Sequence, residues 1–303
     1  MSADNQIEEL NFQRKQRWRT ALKEQLLGYL FMAPWLLGFL VFMAVPLGWS
    51  LYLTFNKVLL TPDGFKYTWR GLGNFRDALL VDNSYPVKLF TYVQEVILMI
   101  PIIVIFALFV ALLLNQRFPG RFLLRAIFFL PVIFATGQVL TELFTQGAGE
   151  LPFIDQYNVK PLVNEYVGPK LAEPIINILG KFVIILWYSG VQILIFIAGF
   201  QTISKSVYEA VRIDGATPWE SFWKITLPGA VPFIGLNAIY TIVDLFTFPL
   251  NPVLAEVSNN MFKPDTGYGY ASALAWIYFL IIFVMLGFVL LLLRRSSKRK
   301  GRA

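Results

Sequence analysis

A chain of 303 residues, 56% of them hydrophobic and only 15% charged, with a mean hydropathy of +0.59, is far more apolar than soluble domains of that size. It contains no cysteine and no histidine, which excludes a disulfide framework, thiolate and imidazole metal sites, a Cys nucleophile and any His-based triad. The net charge of +7 comes largely from clusters at Arg14 to Lys23 and Arg294 to Arg302, both beside apolar runs. It therefore marks membrane flanks and does not point to nucleic acid.

Met1 to Leu10 is acidic and polar, and the first apolar run opens only near Leu26, so the start does not read as a cleavable signal peptide. A bilayer core of about 30 Å needs about 20 apolar residues in a helix. Six runs meet that length: approximately Leu26 to Phe55, Thr91 to Leu114, Phe122 to Thr145, Ile175 to Phe200, Val231 to Leu254 and Tyr270 to Leu293. Lipid offers free backbone groups no partner, and these runs are too long and uniformly apolar for barrel strands, so the spans are expected to be helices. The expectation is an all-α polytopic membrane protein with six transmembrane helices. A segment 1–25 precedes the helical domain 26–293, and a basic tail 294–303 follows it.

Most of the 26 Lys and Arg fall on the side that carries both ends, which predicts cytoplasmic termini. The outer segments Asn56 to Phe90 and Gln146 to Pro174 are rich in Pro, Gly, Asn and aromatic residues, as expected of turns and not of long helices. They face an extracellular partner or serve as connectors. The basic character of Asn56 to Lys88 leaves room for an acidic oligosaccharide.

Between the fourth and fifth spans lies 204–228, reading SKSVYEAVRIDGATPWESFWKITLP. Ser206 with Glu209 three residues later predicts a capping box opening a short helix Val207 to Asp214, which Gly215 stops. Thr217 and Glu220 form a second box with Pro218 at the first helical position, predicting a second helix to about Thr226 with Pro228 closing it before the next span. Val207, Ala210, Val211, Phe222, Trp223 and Ile225 recur at helical spacing among charged residues, so the loop is amphipathic but too charged to enter the bilayer. It lies at the interface, anchored by Trp219 and Trp223, or docks a partner.

The run Glu209, Ala210, Val211, then Gly215, then Ile225, Leu227 and Pro228 resembles the EAA motif of permease subunits in binding-protein-dependent ABC importers. Asp214, Ala216, Phe222 and Lys224 extend the likeness toward the carbohydrate branch of maltose and glycerol-phosphate permeases. Val211 stands where that family often has a second Ala. The resemblance implies that this coupling helix-turn-helix inserts into a cleft on a dimeric ABC ATPase, with Glu209 and Gly215 at the contact. It also implies a second, different permease subunit, an extracellular solute-binding protein, a carbohydrate cargo and a bacterial cytoplasmic membrane. No G-x-x-x-x-G-K-[ST] run is present, so ATP and magnesium are expected on the partner ATPase and no cofactor in this chain.

Polar groups inside spans are the remaining clue, because a carboxylate at the bilayer centre costs roughly 2.5 to 3.5 kcal/mol on insertion scales. Asp244 falls near the middle of the predicted fifth span, and Asn237, Tyr240, Thr241 and Asp244 follow i, i+3, i+4, i+7 on one face. Pro249 and Pro252 are expected to break the helix beyond them. A polar stripe ending in a helix break suits sugar hydroxyls, with aromatic faces to stack on the ring. Tyr188 and Gln192 in the fourth span and Trp276 in the sixth complete the predicted substrate pathway, or else bind helices together. Glu95 and Glu142 lie near the predicted outer edge and receive no role. A proton-coupled secondary transporter using Asp244, Glu95 and Glu142 is the rival reading. An enzyme finds no nucleophile and base pair to build on.

Overall fold

The computed structural model describes residues 23–62, 64–116, 118–134, 159–168 and 182–300, together with 142, 146, 172, 176 and 180. In chain order they form α1 (Lys23–Thr54), a hairpin of β1 (Asn56–Thr61) and β2 (Gly64–Trp69), and a short α2 (Gly73–Arg76) that widens into a π turn over Asp77–Val81. Then come α3 (Tyr85–Asn115), α4 (Arg121–Phe134), α5 (Val159–Val167), α6 (Phe182–Gln201), α7 (Lys205–Ile213), α8 (Pro218–Phe246), α9 (Pro252–Met261) and α10 (Gly267–Lys300).

Five of these helices are long and apolar enough to cross a membrane: α1, α3, α6 over Ile184–Gln201, α8, and α10 over Gly267–Arg294. The sixth predicted run, Phe122 to Thr145, begins as α4, and its remainder lies outside the described residues.

The core is a bundle in which α6 packs along α3, α8 and α4, while α10 packs on α8, α9 and the last turns of α1. Ala107, Ala111, Ile193, Phe196 and Ala230 form one buried cluster. Tyr92, Val96, Ile185, Ile242, Phe246 and Leu274 form a larger one beside it. Lipid tails give helix association no hydrophobic drive, so buried hydrogen bonds and close packing supply it. Three tyrosines do this by donating to backbone carbonyls of other helices: Tyr85 to Leu274 (2.7 Å), Tyr92 to Leu245 (2.5 Å) and Tyr278 to Phe246 (2.7 Å). The most apolar stretch of α1 has none of its residues buried, which is how a helix solvated by lipid presents itself.

The hairpin is an element the all-α expectation lacks. β1 and β2 pair antiparallel from Asn56↔Trp69 to Thr61↔Gly64, and Gly64 closes the turn with φ +113°. It is seated on the rest of the chain by two devices. Asn74, 1% exposed, donates to the carbonyls of Thr54 (2.8 Å) and Asn56 (2.9 Å). Gly267 and Gly269 at the start of α10 lie so close to the carbonyls of Val58 and Asn56 that a Cβ at either would collide with backbone.

α3 begins at Tyr85, ahead of the predicted Thr91, because Asp82 closes its N-terminus. The Asp82 carboxylate accepts from the backbone N–H of Ser84 (2.7 Å) and Tyr85 (3.1 Å) and from the Tyr270 hydroxyl (2.7 Å). Partial burial opposes its charge, but these bonds prevail and hold the carboxyl below the usual carboxylate range. Nearby, Glu256 on α9 accepts from Lys88 (2.6 Å) and Asn260 (2.9 Å). The Lys88 bond outweighs partial burial and, with Asn260, holds Glu256 below its ordinary value too.

Two boundaries differ from expectation around the fifth span. Pro228 does not interrupt the chain: the helix runs unbroken from Pro218 to Phe246, 29 residues. A proline within a helix removes one N–H and pushes its ring at the carbonyl four residues back. Here the turn Phe222–Thr226 is widened to π geometry, with Leu227 N–H bonded to Phe222 O, which makes room immediately upstream. At the other end the helix stops at Phe246 and not at Leu254. Pro249 lies in the turn that follows, and Pro252 begins α9 at its first position.

Candidate functional site

The loop between α6 and α8 is built as two capped helix starts around one glycine. Its first cap is Ser204 and not the predicted Ser206. The Ser204 hydroxyl accepts from Ser206 N–H (3.2 Å), and α7 begins at Lys205. Ser206 is therefore already helical, and no bond from Glu209 closes a box there. The second cap is as predicted: Thr217 Oγ1 accepts from Glu220 N–H (3.3 Å) and Glu220 Oε2 accepts from Thr217 N–H (2.9 Å), with Pro218 next.

Between them Gly215 takes φ +76°. Gly215 N–H bonds to Arg212 O (3.2 Å) and Ala216 N–H to Val211 O (3.1 Å), the paired bonds of a Schellman ending. Tyr208 and Thr226 hydroxyls share a hydrogen bond of 3.0 Å that ties α7 to the start of α8.

Glu209, Ala210, Asp214, Gly215 and Pro228 are exposed, while Ile225 and Leu227 are half-buried. Ile213 is 86% exposed and Trp219 68%. Behind this face a cavity of about 550 Å³ separates the loop from the end of α3, lined by Asn115, Tyr208, Arg212, Thr217 and Phe222.

The second site lies where α8 ends. A cavity of about 220 Å³ is lined by Trp187 and Tyr188 from α6, Tyr240 and Asp244 from α8, and Thr247 and Phe248 from the turn beyond. Tyr188 meets Phe248 edge to face at 5.2 Å. A second cavity of about 360 Å³ shares Tyr188 and Phe248 and adds Tyr92 and Glu95 from α3.

Asp244 is in the last turn of α8, not mid-helix, because the helix stops early. It is nonetheless deep. Phe246 O is bonded to Tyr278, which at about 1.5 Å per residue lies roughly 16 Å along α10 from Gly267 and roughly 24 Å from Arg294. The broken end is closed by Asn251, which is fully buried. Its Nδ2 donates to Phe246 O (3.2 Å) and to Tyr278, and its Oδ1 accepts from Val253 N–H (2.8 Å) and Leu254 N–H (3.4 Å).

The predicted polar stripe divides. Tyr240 and Asp244 line the cavity, whereas Asn237 and Thr241 are fully buried between helices. Gln192 joins the second pair: its Nε2 donates to Thr241 Oγ1 (3.2 Å). Trp276 is absent from the lining of either cavity and packs instead on Phe279 at 5.4 Å. The sequence reading gave Glu95 no role and missed Trp187, Phe248 and Asn251. The dipeptide Asn251-Pro252, a capping side chain followed by proline at the first helical position, was the available signal for the last of these. Glu142 is exposed and accepts from Gln146 (2.7 Å). Among the described residues no three acidic side chains gather as a metal site.

The chain is 31% identical to the probable ABC transporter permease protein YesP of Bacillus subtilis, over 92% of this chain and 93% of that one. It is 28% identical to the multiple sugar-binding transport system permease protein MsmF of Streptococcus mutans, over 90% and 95%. Its fold is similar to a chain in the crystal structure of a bacterial ABC transporter involved in the import of the acidic polysaccharide alginate, with TM-score 0.58 and 20% identity over 92% and 99% of the two chains. Residues 78–300 match the model of the binding-protein-dependent transport system inner membrane component, and the chain belongs to that family.

Proposed function

We propose that this chain is one transmembrane half of an ABC importer for a carbohydrate, an oligosaccharide in particular, driven by ATP hydrolysis on a separate subunit. The observation that carries the cargo class is the cavity at the end of α8, lined by Asp244, Tyr188, Tyr240 and Thr247 together with Trp187 and Phe248. Sugars offer that combination of hydroxyl donors and apolar C–H faces. The named sugar systems of its relatives support the same class.

In this reading Tyr188, Tyr240 and Asp244 touch the cargo. Gln192 and Thr241 form an interhelical bond, and Asn237 lies buried one turn before Thr241 on α8. The 204–228 loop is the coupling hairpin. Glu209, Ala210, Asp214 and Gly215 offer the exposed contact to the ATPase, and Ile225, Leu227 and Pro228 join it to the membrane helix. ATP and magnesium belong to that partner.

The chain then crosses a bacterial cytoplasmic membrane six times with both ends inside, so that 1–25 and 294–303 flank the helical domain 26–293. It pairs with a second, different permease, and its outer face meets a solute-binding protein. Basic residues on the proposed inner side support the orientation.

The test is uptake by the complete importer in proteoliposomes. Glu209→Lys should abolish ATP-dependent uptake with the complex weakened at the ATPase. Asp244→Ala should abolish uptake with the complex intact. Transport by this chain alone, driven by a proton gradient, would overturn the assignment.

A further inference from the structure

We propose that the hairpin of β1 and β2 is a membrane-interface anchor. The ring-bearing face of β2, with the rings it meets on neighbouring elements, sits among phospholipid headgroups and holds the adjoining ends of α1 and α10 at that depth. Antiparallel pairing separates the two faces: Asn56↔Trp69 and Val58↔Tyr67 share one, with Phe65 two residues along, while Lys57↔Thr68 and Leu59↔Lys66 share the other. The first face is aromatic along β2, and its rings continue beyond the hairpin. Tyr67 meets Trp49 of α1 at 6.4 Å, Phe65 meets Tyr268 of α10 at 5.4 Å, and Tyr268 meets Phe262, just past α9, at 6.1 Å. Trp69 stacks on Phe55, where α1 ends, at 6.0 Å. These rings touch one another yet open outward: Trp69 is 69% exposed and Phe262 72%, and Trp49, Phe65 and Tyr67 are exposed as well.

Two independent observations say what covers this patch. The first is depth. Arg294 is the first basic residue after the apolar run of α10 and marks one edge of the hydrocarbon. Tyr268 stands 26 residues before it, about 39 Å along the helix and about 37 Å across the membrane at the usual tilt of about 20°. Hydrocarbon takes up about 30 Å of that distance, and the far headgroup layer adds about 5–7 Å. Gly267 and Gly269, against which the hairpin is seated, lie at the same level. The second is continuity. Trp49 belongs to α1, whose most apolar stretch has none of its residues buried, so the ring patch extends a surface that lipid already solvates.

The chemistry of the patch fits that layer. Indole and phenol rings have an apolar body and a polar tip, and the headgroup region is where a bilayer satisfies both. Lys66 and Thr68, exposed on the opposite face of β2, meet water and lipid phosphates there. The hairpin is fixed to α1 through Asn74, which holds the carbonyls of Thr54 and Asn56, and to α10 through the two glycines, so the anchor acts on both helices at once. It lies in the outer leaflet in the topology proposed above, but it requires only that α10 crosses the bilayer.

Because the chain has no cysteine, single spin labels can be placed at Phe65→Cys and Tyr67→Cys on the ring face and at Lys66→Cys and Thr68→Cys opposite. The complete permease and ATPase complex is studied in nanodiscs of phosphatidylethanolamine and phosphatidylglycerol, with the label-treated wild-type complex as background. The ratio of oxygen to water-soluble nickel-chelate accessibility should alternate along β2 and be at least about twofold higher on the ring face than opposite. Nickel-dominated ratios on both faces would put the hairpin in bulk water and overturn the anchor. Ring-face labels that neither reagent reaches would show a protein subunit covering the patch and overturn it too. Adding the ligand-loaded binding protein should leave the ring-face ratios unchanged, and their collapse would reassign the patch to that partner. Where a cysteine variant fails to assemble, the unmodified complex decides: a phospholipid carrying a diazirine next to its headgroup should crosslink to 64–70 or to Phe262 on irradiation, and the absence of such crosslinks overturns the anchor.

Discussion

Asn251 spends a single buried side chain on three elements. Its amide caps the broken end of α8 and reaches Tyr278 on α10, while its carbonyl oxygen opens α9. Removing it leaves Phe246 O with Tyr278 alone and strips Val253 N–H of its acceptor, at fully buried positions. Asn251→Ala should therefore lower stability by about 1–3 kcal/mol, read as a fall in unfolding temperature in detergent. An unchanged unfolding temperature in Asn251→Ala would show that the break is held some other way. Residue identity was only partly legible at this scale. Asp244 and Tyr240 announced themselves as polar groups in an apolar run, and both line the cavity. Trp276 did so as well, yet its ring packs on Phe279, because an aromatic residue in a span says nothing about which way it faces.

At the scale of elements, the start of α3 depends on one carboxylate. Asp82 is held ionised by three hydrogen bonds, so its folded pKa lies below its unfolded one. That sign means its contribution is fully present at neutral pH and is lost as pH falls through the ordinary carboxylate range, about 3.9, toward the folded value. Asp82→Asn should remove this part of the acid sensitivity, while at neutral pH the variant is the less stable protein. Thermal unfolding between about pH 3 and pH 7 reads both. By contrast, the Lys88–Glu256 pair has side chains 45% and 12% exposed, and Glu256→Gln should change stability by only about 0–1 kcal/mol.

Elements were legible where the signal was chemical and local: Thr217, Pro218 and Glu220 form the predicted box. Ser206 and Glu209 had the same spacing and form none, because α7 starts at Lys205, two residues before the expected Val207, and Ser204 supplies the cap. The hairpin was overlooked although Pro62-Asp63-Gly64 between two β-branched and aromatic runs is a turn signal. A search for runs of membrane length passes over strands of six residues.

At the scale of the whole molecule, hydropathy located five of the six expected spans among the described residues, since lipid leaves a spanning chain few alternatives. It could not locate the end of α8, which is set by Asn251 just beyond it and by Tyr278 from a distant position, and not by the run's own apolar content. Nor could it foresee that Pro228 leaves the helix whole, because the π turn that makes room for the ring has no signature in composition. Continuity of α8 is testable. Leu236 is 50% exposed in its outer face, and Leu236→Pro should kink the helix at a cost of about 3 kcal/mol. Uptake per ATP hydrolysed should fall while the complex still assembles, and normal uptake would show that the two ends need not move together.

That unbroken helix joins the Gly215 loop to the Asp244 cavity as a single lever. Its 29 residues make it about 43 Å long. Pivoting about its midpoint, a tilt of only about 10° swings each end through about 4 Å. The far end is tied to α9 and α10 by Asn251 and Tyr278, so a stroke there would reach those helices as well as the cavity wall. A displacement on the scale of one sugar hydroxyl contact is thus within reach of a small rotation, which must also carry or break the bonds that Tyr92, Asn251 and Tyr278 make to the end of α8.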